Sequence, residues 1–136
     1  MLKEEIIMPD SMSPVVSIKN KASVELDDCE ELIAFDSNEV EAHYLDIEIT
    51  KSQSCIWAIH GKNLTYCVDI TSRTGHPIDD LKFVDVLDYG VQYVTGTFKV
   101  GDDYVTPMVS GQTLSYVIPH LDPNQKITIC FQVKVL

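Results

Sequence analysis

NLTYCVDITSRTG, residues 63–75, carries the plainest structural pattern in the chain. Leu64, Tyr66, Val68 and Ile70 alternate with Thr65, Cys67, Asp69 and Thr71. That period of two marks a strand with one buried face. Cys67 falls on the polar side, where an apolar thiol is out of place. Working outward, the same grammar recurs. SRTGHPIDD reads as a turn, and LKFVDVLD follows with Leu81, Phe83, Asp85 and Leu87 in phase. YG breaks the chain before VQYVTGTFKV, which is rich in β-branched and aromatic residues. GDD turns into QTLSYVI, and HLDPNQ turns into KITICFQVKV, whose Ile127, Ile129, Phe131, Val133 and Val135 share one face. Short strands punctuated by Gly, Pro, Asn and Asp predict an antiparallel all-β sandwich or barrel.

Residues 1–40 are less regular and form an acidic N-terminal extension, with the sandwich expected over 41–136. PVVSIKNKASVEL reads as a strand after a proline, and DDCEELIAF as one or two helical turns capped by Asp27 or Asp28, with Leu32 and Ile33 inward. EAHYLDIEITKS alternates and is expected to enter the sandwich as its first strand. The opening dozen residues show no period.

The 136 residues fit one domain with its own core. Net charge is −11, and thirteen of the 21 acidic residues precede Gln53. Such a chain repels phosphate backbones, so nucleic acid and anionic membranes are poor partners. No apolar run approaches the roughly 18 residues of a membrane span. The start, MLKEEIIMPDSM, lacks the basic and apolar regions of a secretory signal, which predicts a cytoplasmic chain unless it is a piece of something longer.

From about Ile49 onward, four pieces follow in order: ITKS, GKNLTYCVDITSRTG, LKFVDVLDYGVQYVTGT and LSYVIPHLDPNQKITICFQVKV. Together they resemble the conserved-repeat family known as "domain of unknown function eleven", found in bacterial and archaeal surface proteins. The resemblance spans about residues 49–136 and implies an immunoglobulin-like β-sandwich with a structural or adhesive role. Three departures stand out. Ser72 replaces the usual Asn, with one extra residue before Gly75; Asp88 replaces a proline; and Asn124 replaces a glycine. Asn124 follows Pro123, where the turn calls for φ > 0, a conformation that Asn tolerates best after glycine.

Several constellations invite chemistry. Asp85 lies in phase with buried residues and therefore needs donors or a cation. In related surface sandwiches such an acid promotes a Lys–Asn isopeptide bond, and Lys51 stands at the corresponding first-strand position. The last strand supplies Gln132 on its polar side instead of Asn. The alternative is an Asp near a strand end that bonds turn amides. Cys29, Cys55, Cys67 and Cys130 lack C-x-x-C spacing, no His pair sits at i, i+4, and the Asp-Asp pairs lack the D-x-D-x-D-G pattern, so no metal or cofactor is expected. No G-x-S-x-G, phosphate loop or nucleophile–base pairing suggests an enzyme. Trp57 between Ile56 and Ile59 reads as a core or interface anchor.

By the topology the resemblance implies, the last strand neighbours LTYCVDIT, which puts Cys67 and Cys130 on one outer face. Three states are open: free thiols, a cross-strand disulfide, or cross-links between subunits that also draw on Cys29 and Cys55. The resulting expectation is a non-enzymatic structural module of a bacterial surface layer, such as a spore coat or appendage. A spore coat is assembled inside a cell and needs no export signal. The module would associate with itself or other surface-layer proteins, with residues 14–24 adding as a strand to a neighbour's sheet edge. The alternative is an adhesion module that binds a carbohydrate or protein through loops 73–80, 88–90 and 101–107 at one end of the sandwich.

Overall fold

The computed structural model describes residues 17–27 and 30–136. All their regular structure is strand, paired antiparallel: β1 Ser17–Asp27, β2 Leu32–His43, β3 Ile47–Gln53, β4 Asn63–Ser72, β5 Ile78–Val86, β6 Val91–Tyr93, β7 Lys99–Val100, β8 Asp103–Tyr104, β9 Met108–Ser110, β10 Thr113–Leu121 and β11 Lys126–Val135. Contacts divide the chain into two compact units, Met1–Tyr44 and Leu45–Leu136, four residues later than the boundary expected at 40.

In the second unit one sheet runs β3-β4-β11-β7-β8, with β6 also on β11, and the other runs β5-β10-β9. The two enclose one core. Leu64, Val68 and Ile70 of β4 and Ile129, Phe131 and Val133 of β11 turn inward, as their alternation requires. Phe98, fully buried, stacks on Phe131 at 5.9 Å and touches Phe83 at 6.1 Å and Tyr116 at 5.9 Å, so one ring joins both sheets.

VQYVTGTFKV is not one strand. β6 and β7 both pair with β11, but three extra residues bulge out between them. Within the bulge Gly96 adopts φ 85°, and Thr97 Oγ1 donates to Val94 O while accepting from Gln132 N. The hydroxyl replaces the missing ladder bond and lets Phe98 drop into the core. EAHYLDIEITKS is divided as well: Glu41–His43 closes β2, and β3 begins at Ile47.

Ser72, Asp88 and Asn124, where the sequence departs from the pattern it resembles, each have a local role. Ser72 is fully buried; its N–H donates to Gln125 O, its carbonyl accepts from Asn124 N, and its Oγ accepts from Thr74 N. Asp88 accepts from Gly90 N through Oδ1 at 2.7 Å, making the turn that a proline would otherwise set. Asn124 has φ 64°, the left-handed conformation its turn demands.

Among the described residues of the first unit, β1 and β2 pair as an antiparallel hairpin. The helical turns expected at DDCEELIAF are not formed: Leu32, Ile33 and Ala34 extend opposite Asp27, Leu26 and Glu25. Leu32 is exposed rather than inward, and Asp28 and Cys29 lie outside the described residues. Alternation in β1 is the physical reason, because its apolar residues need an extended partner to continue their face.

Candidate functional site

Register makes Cys67 and Cys130 a directly opposed pair on β4 and β11, with Cα atoms 4.1 Å apart, and they form a disulfide. This is the spacing of closely approaching cross-strand neighbours. Both are half-buried on the outer face, flanked by Ser52 of β3 and Lys99 of β7. The neighbouring rungs are polar: Thr128 Oγ1 donates to Asp69 at 2.6 Å, and Asn63 Nδ2 donates to Gln132 Oε1 at 3.3 Å. Cys55 is a free, exposed thiol beyond β3; Cys29 lies outside the described residues.

Lys51 and Asp85 meet across the two sheets. Lys51 lies opposite Val68, hence on the inner face of β3, and its Nζ donates to Asp85 Oδ2 of β5 at 2.7 Å. The Lys51 side chain is 43% exposed and that of Asp85 only 11%. The ammonium also sits 4.7 Å from the Tyr66 ring centroid. Asp85, whose phase called for donors or a cation, is met by the Lys51 ammonium. Gln132, engaged by Asn63 on the outer face, is on the other side of the sheet from Lys51, so a Lys–amide bond between them has no geometric basis.

β3 and β5 are edge strands of their sheets. Between them opens a groove of about 470 Å³, lined by Ile49, Lys51, Ile70, Phe83, Asp85 and Ile118 among others. Its floor is core, whereas Ile49 is 66% exposed. The ion pair bridges the two edge strands within this groove. An inward charge on an edge strand also discourages indiscriminate edge pairing.

The hairpin carries a second unsatisfied surface. Ile18, Val24 and Leu26 lie on one face of β1, and their register partners bring Ile33, Phe35 and Ala42 of β2 to it. Ile18, Val24, Leu26, Phe35 and Val40 are all more than half exposed. Residues 17–24 of the segment expected to add to a neighbour as a lone strand are instead paired in this hairpin, and 14–16 lie outside the described residues.

A polar cluster that periodicity did not suggest lies at the far end of β10. His120 Nδ1 faces Asp79 Oδ1 and Nε2 faces Asp122 Oδ1, both at 2.6 Å. Only the imidazolium can donate from both nitrogens, and these bonds raise the His120 pKa above its usual 6.5. His120 and Asp122 two residues apart was the available signal; Asp79 arrives only through the β5–β10 register.

Trp57 is 67% exposed, with Ile56 and Ile59 exposed beside it, so of the two roles expected for it, core or interface anchor, the core role is excluded. Loops 73–80 and 88–90 sit at opposite ends of β5 and do not form a single rim, contrary to the arrangement expected for a loop-based binding site. Among the described residues no group of three or more His, Cys, Asp or Glu could hold a metal ion, and no helix is long and apolar enough to cross a membrane. Comparison of the chain with protein-family models, curated proteins and solved structures gave no match.

Proposed function

We propose that this protein is a non-enzymatic structural module, an immunoglobulin-like sandwich bearing an N-terminal hairpin, that works by associating with copies of itself or with other structural proteins. The observation that carries the reading is the one-faced hairpin. A two-stranded sheet is at best marginally stable in water, and this one exposes an apolar face of at least five large side chains. Association covers such a face. The open β3 and β5 edges and a cross-strand disulfide that stiffens the main sheet suit a load-bearing subunit. The setting, a bacterial surface layer such as a spore coat or appendage, rests on the family resemblance of residues 49–136. Light scattering after size-exclusion chromatography of the full chain, over a concentration series, tests association. Mass rising with concentration supports it, and a constant monomer mass at every concentration refutes it.

A further inference from the structure

We infer that a cavity at the opposite edge of the sandwich, between β6 and β9, binds a small uncharged sugar, an activity separate from assembly. The cavity holds about 400 Å³, within the roughly 300–1,000 Å³ of small-ligand pockets. Gln92, Tyr93 and Thr95 line it from β6 and the bulge after it, and Thr106 and Gln112 line it from either side of β9. Main-chain bonds hold these segments in place. Val94 N–H donates to Gln132 O at 3.0 Å, Val105 N–H to Phe98 O at 3.0 Å, and Leu87 N–H to Gln112 O at 2.7 Å. The Gln112 side chain is fixed as well, because Nε2 donates to Asp88 O at 2.8 Å and to Val91 O at 3.0 Å. Both amide hydrogens are thereby used, and Oε1 remains as an acceptor. The site is formed before a ligand arrives, which lowers the ordering cost of binding.

The lining selects the ligand. None of its eleven residues is acidic, basic or His, in a chain of which 23% is charged. A phosphate, carboxylate, ammonium or metal ion would meet no opposite charge there. The walls offer two amides and two threonine hydroxyls, which between them donate and accept, as ligand hydroxyls do. Beside them the half-buried Tyr93 ring, held edge-on to Phe131 at 6.3 Å, and Pro107 present apolar surface to a ligand's C–H face. A polyhydroxylated ring combines these two kinds of surface. A peptide fits less well, because it needs a strand edge, and β9, which follows Pro107, has only three residues. Of the loops first expected to bind a ligand, 101–107 alone lines this cavity.

The experiment uses the full chain on an array of neutral and acidic glycans, followed by NMR titration of its backbone amides with glucose, galactose, mannose and N-acetylglucosamine. Neutral glycans should bind, sialylated and sulfated ones should not, and shifts should concentrate at residues 92–96, 105–106 and 111–112. Gly111 has φ 59° and open space where a side chain would begin. Gly111→Asn therefore adds bulk at the cavity wall in the residue that best tolerates that φ. It should weaken binding at least about tenfold, as should Gln92→Ala with Thr95→Ala, circular dichroism establishing that each variant is folded. Ile49→Glu, at the other edge of the sandwich, should bind as the parent chain does. No neutral glycan bound, a preference for acidic glycans, or shifts elsewhere refutes the inference. Binding that survives both folded cavity variants refutes it too. Shifts at the same residues from a library of uncharged peptides, with every sugar silent, would make this a peptide site and overturn the sugar assignment. None of these results bears on assembly, which light scattering reads separately.

Discussion

Removing the Cys67–Cys130 bond should cost stability by an amount set almost wholly by the unfolded chain. The two residues are 63 apart in sequence, so the bond closes a long loop of the denatured ensemble. The chain-entropy relation for a loop of that length gives on the order of 4 kcal/mol at 25 °C. Both side chains are half-buried on the outer face, so Cys67→Ala with Cys130→Ala opens no core cavity to confuse the sum. For a domain of this size each kcal/mol corresponds to roughly 4–8 °C, and the midpoint should therefore fall by on the order of 20 °C. Urea unfolding of the Cys29→Ser, Cys55→Ser background, with and without reductant, measures the same difference without altering the bonded pair. The oxidised form should also show the smaller denaturant slope, since the cross-link keeps its unfolded state compact. A difference below about 1 kcal/mol, with the bond verified by mass, would refute the entropic reasoning.

Three further outcomes follow from local geometry. Lys51→Met should destabilise by roughly 1–3 kcal/mol, less than a fully buried pair because Lys51 is 43% exposed; Lys51→Met with Asp85→Leu should recover most of it, read by urea midpoints. For His120 the folded pKa is raised, so its contribution is fully present below the unfolded value near 6.5 and is lost as pH rises through the higher folded value. An NMR titration should place the His120 midpoint above 6.5, and Asp79→Asn with Asp122→Asn should return it toward that value. Asn124→Gly should be neutral or slightly stabilising, whereas Asn124→Ala should lower stability by about 1 kcal/mol, because φ 64° strains a side chain that cannot bond locally.

The parts readable from the residues were those in which one face differs from the other. β4 and β11 announce themselves because Leu64, Val68, Ile129 and Val133 repeat at period two against polar neighbours. Phase alone showed that Asp85 needs donors or a cation, but it pointed to turn amides as readily as to Lys51, which the meeting of β3 and β5 supplies. Periodicity assigns a face but not a partner, so it placed Cys67 and Cys130 outward without establishing that they stand on the same rung; a slip of one residue would have separated them. The helix expected near Leu32 failed because Asp27, Asp28, Glu30 and Glu31 imitate a helix N-terminus, while the strand at Leu32–His43 depends on pairing with β1. The Asp79–His120 contact spans 41 residues, and the separation of loops 73–80 and 88–90 follows from how β5 runs. Both are properties of topology, which local pattern does not contain. The groove belongs with them, since it exists only where two sheet edges come side by side.

Assembly through the hairpin requires that its apolar face be covered by association. Hydrogen–deuterium exchange of the full chain, followed across concentration, reports this residue by residue. Amides of Ser17–Asp27 and Leu32–His43 should slow as concentration rises, while the β4–β11 ladder is protected throughout. Hairpin amides that exchange at one fast rate at every concentration would contradict it.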